Sequence, residues 1–218
     1  MARVPNVVDV QTLRLYRSTI GKKAVMAVTG VGLLLFVVGH MIGNLTIFSG
    51  AAAIDGYAHW LREIGVLWPL RFGLLLCVGL HMVAATQLAR RAHAARPVGY
   101  AHRKPVQGSY AARTMRWGGV IIALFVVYHL LDLTAGVANP HGVQGEVYNN
   151  VVADFQLWYV ALAYVVAVLA LGLHIRHGAW SALQSLGVTA PRGIALAIAG
   201  VICGGYLSVP FAVFFGLV

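Results

Sequence analysis

The chain has 218 residues, of which 60% are hydrophobic and 10% charged, with a formal net charge of +10 and a mean hydropathy of +0.79. Water-soluble chains carry about 25% charged residues, so the composition excludes a soluble globular domain and a disordered chain alike and places the protein in lipid. Its two cysteines, Cys77 and Cys203, both lie in apolar runs, which excludes a small disulfide scaffold.

Taken in chain order, five apolar stretches near 24–48, 66–89, 117–137, 156–176 and 193–217 are long enough to cross a hydrocarbon core of about 30 Å. They are continuous and not alternating, which argues against a closed barrel. Inside lipid each backbone amide must find its partner within the segment, so the runs are expected to be helices. The predicted fold is an all-α membrane protein, a bundle of five transmembrane helices forming one integral membrane domain over 1–218. Residues 1–23 are polar and basic, and the first apolar run is long and lacks a small-residue cleavage signal, so no removable signal peptide is expected and the mature chain is read as starting near Met1.

The cations sort by segment. Arg3, Arg14, Arg17, Lys22 and Lys23 precede the first run; Arg90, Arg91, Arg96, Arg103, Lys104, Arg113 and Arg116 separate the second from the third; Arg176 and Arg192 flank the connection between the fourth and fifth. The opposite connections hold Arg62 and Arg71 alone. The positive-inside rule then places the amino terminus in the cytoplasm and the carboxyl terminus outside. The basic excess is read as topology, and no nucleic-acid partner is expected. Trp60, Trp68, Trp117, Trp158 and Trp180 fall near predicted helix ends, where amphipathic rings are favoured.

Four of the nine histidines, His40, His81, His129 and His174, lie inside the first four runs, one in each. Ionisable side chains within a membrane helix are costly and mark a site. With a rise of about 1.5 Å per residue and alternating helix directions, His40 and His129 fall in the outer half, while His81 and His174 fall nearer the cytoplasmic side. Two facing imidazoles at one level are the axial ligand set of a b-type haem, and helix bundles build cofactor sites from facing helices. Two pairs therefore point to two stacked haems. Gly32, Gly39 and Gly43 around His40, Gly79 before His81 and Gly172 before His174 offer room for a macrocycle, or serve ordinary close packing of helices. A four-coordinate zinc site would need all four ligands at one depth; a cluster using Cys77 beside His81 lacks a paired cysteine spacing.

The stretches RSTIGKKAVMAVTG, GHMIGNLTIF, AIDGYAHWLRE, KPVQGSYAARTMRWGG, VVYHLLDLT and LGLHIRHGAWSALQSLG resemble the dihaem cytochrome b membrane anchor of succinate:quinone oxidoreductases and fumarate reductases, in its single-subunit, five-helix bacterial form. The resemblance runs over roughly residues 14 to 217. It implies that His40, His81, His129 and His174 are the haem axial ligands, with His81 and His174 on the haem nearest the iron-sulfur subunit and His40 with His129 on the distal one. It further implies partner subunits, a flavoprotein with FAD that oxidises succinate and an iron-sulfur subunit. Electrons would pass through both haems to a membrane quinone, menaquinone, in the bacterial cytoplasmic membrane. The subunit would be the quinone-reactive part of succinate dehydrogenase, with no succinate chemistry of its own. The alternatives are the cytochrome b subunit of another respiratory enzyme, such as a formate dehydrogenase or hydrogenase, and a haem-free channel or metal carrier lined by histidines.

Quinone chemistry needs proton donors or relays beside the ring. The outer side offers Tyr57, His59, Arg62, Glu63 and Asp132; Glu63 and Asp132 are the candidates for the quinone vicinity, and Arg62 is expected as a solvated loop charge. On the cytoplasmic side Arg17, Ser18, Lys22, Lys23, Arg113 and Arg176 could pair with haem propionates or with the iron-sulfur subunit. Arg176 and His177, beside an axial ligand, are the leading propionate candidates. His93, His102 and His141 are expected in surface loops.

Overall fold

A computed structural model of the chain describes residues 18–95, 110–189 and 191–218. Arg3, Arg14, Arg17, Arg96, His102, Arg103 and Lys104 lie outside the described residues. Among the described residues seven α-helices follow one another: α1 Thr19–Leu45, α2 Ala51–Glu63, α3 Leu67–Ala94, α4 Tyr110–His129, α5 Val147–Phe155, α6 Trp158–Ser185 and α7 Arg192–Phe214. A 3-10 turn at Thr46–Ser49 extends α1, and a π-helical turn at Leu130–Thr134 extends α4. No strand occurs among the described residues. Five helical stretches, those built on α1, α3, α4, α6 and α7, are long and apolar enough to span a membrane.

The long helices overrun the apolar windows at the basic end, because hydropathy marks the hydrocarbon core and a helix does not stop at its border. α3 continues through Arg90, Arg91 and His93, α4 begins before Arg113, and α6 runs past Arg176 to Ser185. His93 is therefore helical and not in a loop. Ser18 starts α1 as its N-cap, its hydroxyl accepting the Gly21 N–H at 2.9 Å, a contact worth about 1 kcal/mol.

At the other end two short helices replace expected loops. Gly50 (φ 93°) and Gly65 (φ 70°) bracket α2, a left-handed backbone that costs glycine little. Arg62, expected in a loop, lies in the last turn of α2. His141 does lie in a turn between α4 and α5. Here Ile47, Ile54, Val151, Phe155, Val160, Tyr164, Val209 and Val213 form one buried cluster drawn from α2, α5, α6, α7 and the 3-10 turn.

Close packing joins α1 to α3, α6 and α7, α4 to α6, and α6 to α7. Lipid supplies no hydrophobic drive between helices, so interhelical hydrogen bonds and tight small-residue contacts hold them, at about 0.6–2 kcal/mol per bond. Lys22 donates to the Gln87 side chain and ties α1 to α3, and the Tyr206 hydroxyl donates to the Val37 carbonyl at 2.7 Å and ties α7 to α1. A Cβ built at Gly172 on α6 would overlap the Cys203 Sγ on α7. Large apolar side chains such as Phe72, Leu75 and Leu76 of α3 and Val120 and Leu124 of α4 stay exposed, as a lipid-facing surface requires.

Candidate cofactor-binding sites

α1 and α4 are not among the closely packed helix pairs, and neither are α3 and α6. A histidine pair bridges each gap. His40 on α1 meets His129 on α4 with ring centroids 5.8 Å apart and planes at 72°. His81 on α3 meets His174 on α6 at 6.2 Å and 59°. These are the pairs that helical depth separates in the sequence. Among the described residues no group of three or more His, Cys, Asp or Glu side chains is placed to hold a metal ion, so the four imidazoles are two separate pairs and not one tetrahedral set.

The spacing suits a two-ligand metal. An ion held by one nitrogen from each ring at about 2 Å per bond separates the ring centroids by about 6 Å. Hydrogen bonds leave the correct nitrogen free in two of the rings. His81 Nδ1 lies 3.1 Å from the Met26 carbonyl, which can only accept, so Nδ1 carries the proton and Nε2 keeps its lone pair. Tyr164 gives its one hydroxyl proton to Asp132 Oδ2 at 3.0 Å; its oxygen, 3.1 Å from His129 Nδ1, therefore accepts from that ring. Partners of this kind fix the tautomer of a ligating histidine and raise its basicity. In His174 the Nδ1 is buried without a partner.

The two levels can be measured along the helices. Gly30 of α1 abuts His81, a built Cβ coming 3.3 Å from the ring, and Gly119 of α4 abuts His174 at 3.9 Å. Ten residues separate Gly30 from His40 and Gly119 from His129, which puts the pairs about 15 Å apart along the bundle. The inner pair is more central than the sequence suggests, because α6 continues well beyond Arg176.

The glycines singled out in the sequence divide. Gly32 packs toward Cys77, Gly43 toward Tyr57 and Gly172 toward Cys203, so these three close helix contacts; Gly39 and Gly79 face open space. The acidic candidates are not brought together. Glu63 is exposed and pairs with His59 at 3.5 Å, whereas Asp132 is 1% exposed, in the π-helical turn that follows His129. Turns of this type often sit at functional sites. Arg176 is exposed and His177 half-buried, one turn from His174 toward the basic end.

Tyr164, Asp154, Gly30 and Gly119 were not legible as site residues. No spacing rule links them to a histidine on another helix, and a buried carboxylate such as Asp154 looks in sequence like any polar residue at a helix end. Comparison of the chain with protein-family models, with curated proteins and with solved structures finds no match.

Proposed function

We propose that the protein is the cytochrome b membrane anchor of a succinate:quinone oxidoreductase, holding two b haems and carrying electrons from an iron-sulfur subunit to a membrane quinone, menaquinone. The observation that carries this reading is the pair of cross-bundle histidine contacts, each at the separation that a bis-imidazole metal needs. Bound haem would supply reversible one-electron chemistry at each level. The chain's own residues do the rest. His81 and His174 hold the inner centre, with the Met26 carbonyl and Thr29 hydroxyl orienting His81; His40 and His129 hold the outer one, with Tyr164 orienting His129.

In this reading the basic end faces the cytoplasm of a bacterium. It presents Lys23, Arg113 and Arg116 toward the iron-sulfur and flavoprotein subunits, and Arg176 and His177 toward the inner propionates. Proton donors for quinone belong at the opposite end, where Asp55, Glu63, Asp132, Glu146 and Asp154 gather. The chain would reduce quinone and leave succinate to its FAD-bearing partner.

A dithionite-reduced minus oxidised spectrum of the purified complex, with pyridine haemochrome quantitation, is expected to give two haems b per chain. His40→Ala or His129→Ala should leave the inner haem alone, and His81→Ala or His174→Ala the outer one. A haem-free protein in a native membrane would overturn the reading. Copurification of a formate- or hydrogen-oxidising subunit in place of the flavoprotein would move the chain to another respiratory enzyme.

A further inference from the structure

Asp132 and Asp154 are each 1% exposed, the most deeply buried charged side chains among the described residues. They come from different elements, the π-helical turn after α4 and the last turn of α5, and their carboxyl groups lie within hydrogen-bonding reach of each other. Each keeps one buried oxygen without a donor, Oδ1 of Asp132 and Oδ2 of Asp154. The Tyr164 hydroxyl donates to the other oxygen of Asp132, Oδ2, at 3.0 Å. Among the described residues no Lys, Arg or His side chain forms an ion pair with either acid. On α2, Asp55 is engaged by the Tyr148 N–H at 3.0 Å.

Two carboxylates in contact, buried and uncompensated, resist being ionised together, so one of them keeps its proton to higher pH. Two acceptor-only oxygens facing one another also have no hydrogen bond unless one acid keeps its proton. A proton held between the two acids supplies the hydrogen bond that two ionised carboxylates lack. The Asp154 carboxyl accordingly sits well above the ordinary range, pushed up to about 7, first by burial and then by its hydrogen bond with Asp132 and the charge there.

The pair has neighbours on two sides. On one, a cleft of about 320 Å³ has Asp154 in its wall beside Tyr128, Pro140, Leu157 and Tyr159. On the other, Asp132 Oδ2 takes the Tyr164 proton, and Tyr164 takes the His129 Nδ1 proton. Asp132, Tyr164 and His129 form one hydrogen-bonded series, with Asp154 standing between Asp132 and the cleft.

We propose that Asp132 and Asp154 form a proton-sharing carboxyl pair that holds one proton beside the outer histidines, and that Tyr164 couples the charge of this pair to the charge of the His129 centre. The pair rests on burial, on the orphan oxygens and on the packing of α5 against the π-helical turn; the coupling rests on the function proposed above. Were a one-electron carrier bound at His40 and His129, its reduction would be balanced by one proton passing from water in the cleft to the remaining carboxylate oxygen, leaving the net charge around His129 unchanged. The only bond made is that O–H bond, and the only one broken is in the water-borne proton donor. Loss of the electron reverses both.

The test is infrared spectroscopy of the full complex in lipid, in H2O and D2O. Exposed carboxylates are ionised at neutral pH, so one protonated-carboxyl stretch that shifts on deuteration is expected. Asp132→Asn and Asp154→Asn should each abolish the whole band, because an asparagine amide can donate to the surviving carboxylate and let it ionise. Asp154→Glu, which keeps the acid should asparagine prevent folding, should move the band and retain it. Absence of the band in the native protein, or its removal by halves in the two variants, overturns the pair. Dithionite reduction should increase the band in the native protein and leave it unaltered in Tyr164→Phe; a haem-loaded native protein whose band ignores reduction overturns the coupling. A band present in a protein that binds no haem would support the pair and overturn the proposed function instead.

Discussion

The Tyr164 hydroxyl has one proton and meets two groups, so the acceptor character of Asp132 decides the tautomer of His129. The same residues set a pH dependence. In the unfolded chain Asp154 ionises near 4, and in the folded protein near about 7. Between those values the folded state holds more protons than the unfolded one, so this residue's contribution to stability falls as pH rises from about 4 to about 7 and is level above. Asp154→Asn is expected to flatten that interval, as read by denaturant unfolding in detergent at pH steps from 4 to 8. At this scale the sequence was legible where cost alone marks a residue. A histidine in the middle of an apolar run announces itself, whereas Tyr164 looks like any membrane-helix tyrosine until Asp132 and His129 are seen on either side of it.

Between elements, the joint of α6 and α7 is the tightest described. Gly172 has no room for a methyl group because Cys203 Sγ occupies the space, held by its contact with the Val168 carbonyl at 3.6 Å. Gly172→Ala should destabilise the bundle by about 1–3 kcal/mol through overpacking, and Cys203→Ala in the same chain should recover most of the loss. Thermal unfolding of the two single variants and the double variant checks both signs. The apolar runs revealed the spanning helices but not α2 and α5, which are short, mixed in polarity and ordered by the cluster around Ile47 and Phe155. Their burial depends on partners far away in sequence, which no local window contains. The same distance explains why Gly172, expected beside a macrocycle or in a helix contact, resolves to the contact only once α7 is in place.

Across the whole molecule, charge divides the bundle. Lys22, Lys23, Arg90, Arg91, Arg113, Arg116 and Arg176 lie toward the end where α1 begins, and all five described acids lie toward the other. An orientation with the basic end in the cytoplasm predicts the labelling of single cysteines placed in an otherwise cysteine-free chain. Val143→Cys, in the turn before α5, should react with a membrane-impermeant thiol reagent in intact cells, and Val188→Cys, after α6, only in inverted vesicles. The reverse pattern would invert the topology. Sequence disclosed this polarity because it is carried by counts of residues. It could not disclose that the halves of each histidine pair sit on helices that scarcely touch, since that is a property of the packing diagram.

That diagram bears on assembly in time. α3 leans on α1, and α4 leans on α6; the two hairpins meet along the seam of α1 with α6, closed by α7. A ribosome delivers the first hairpin to the membrane before the second exists, and each histidine pair takes one ring from each hairpin. The outer pair waits for the third spanning segment, which carries His129, and the inner pair for the fourth, which carries His174. A cofactor that needs both rings of the inner pair would then act as a late clasp, locking the two halves together and reporting, by its retention, that synthesis has passed His174.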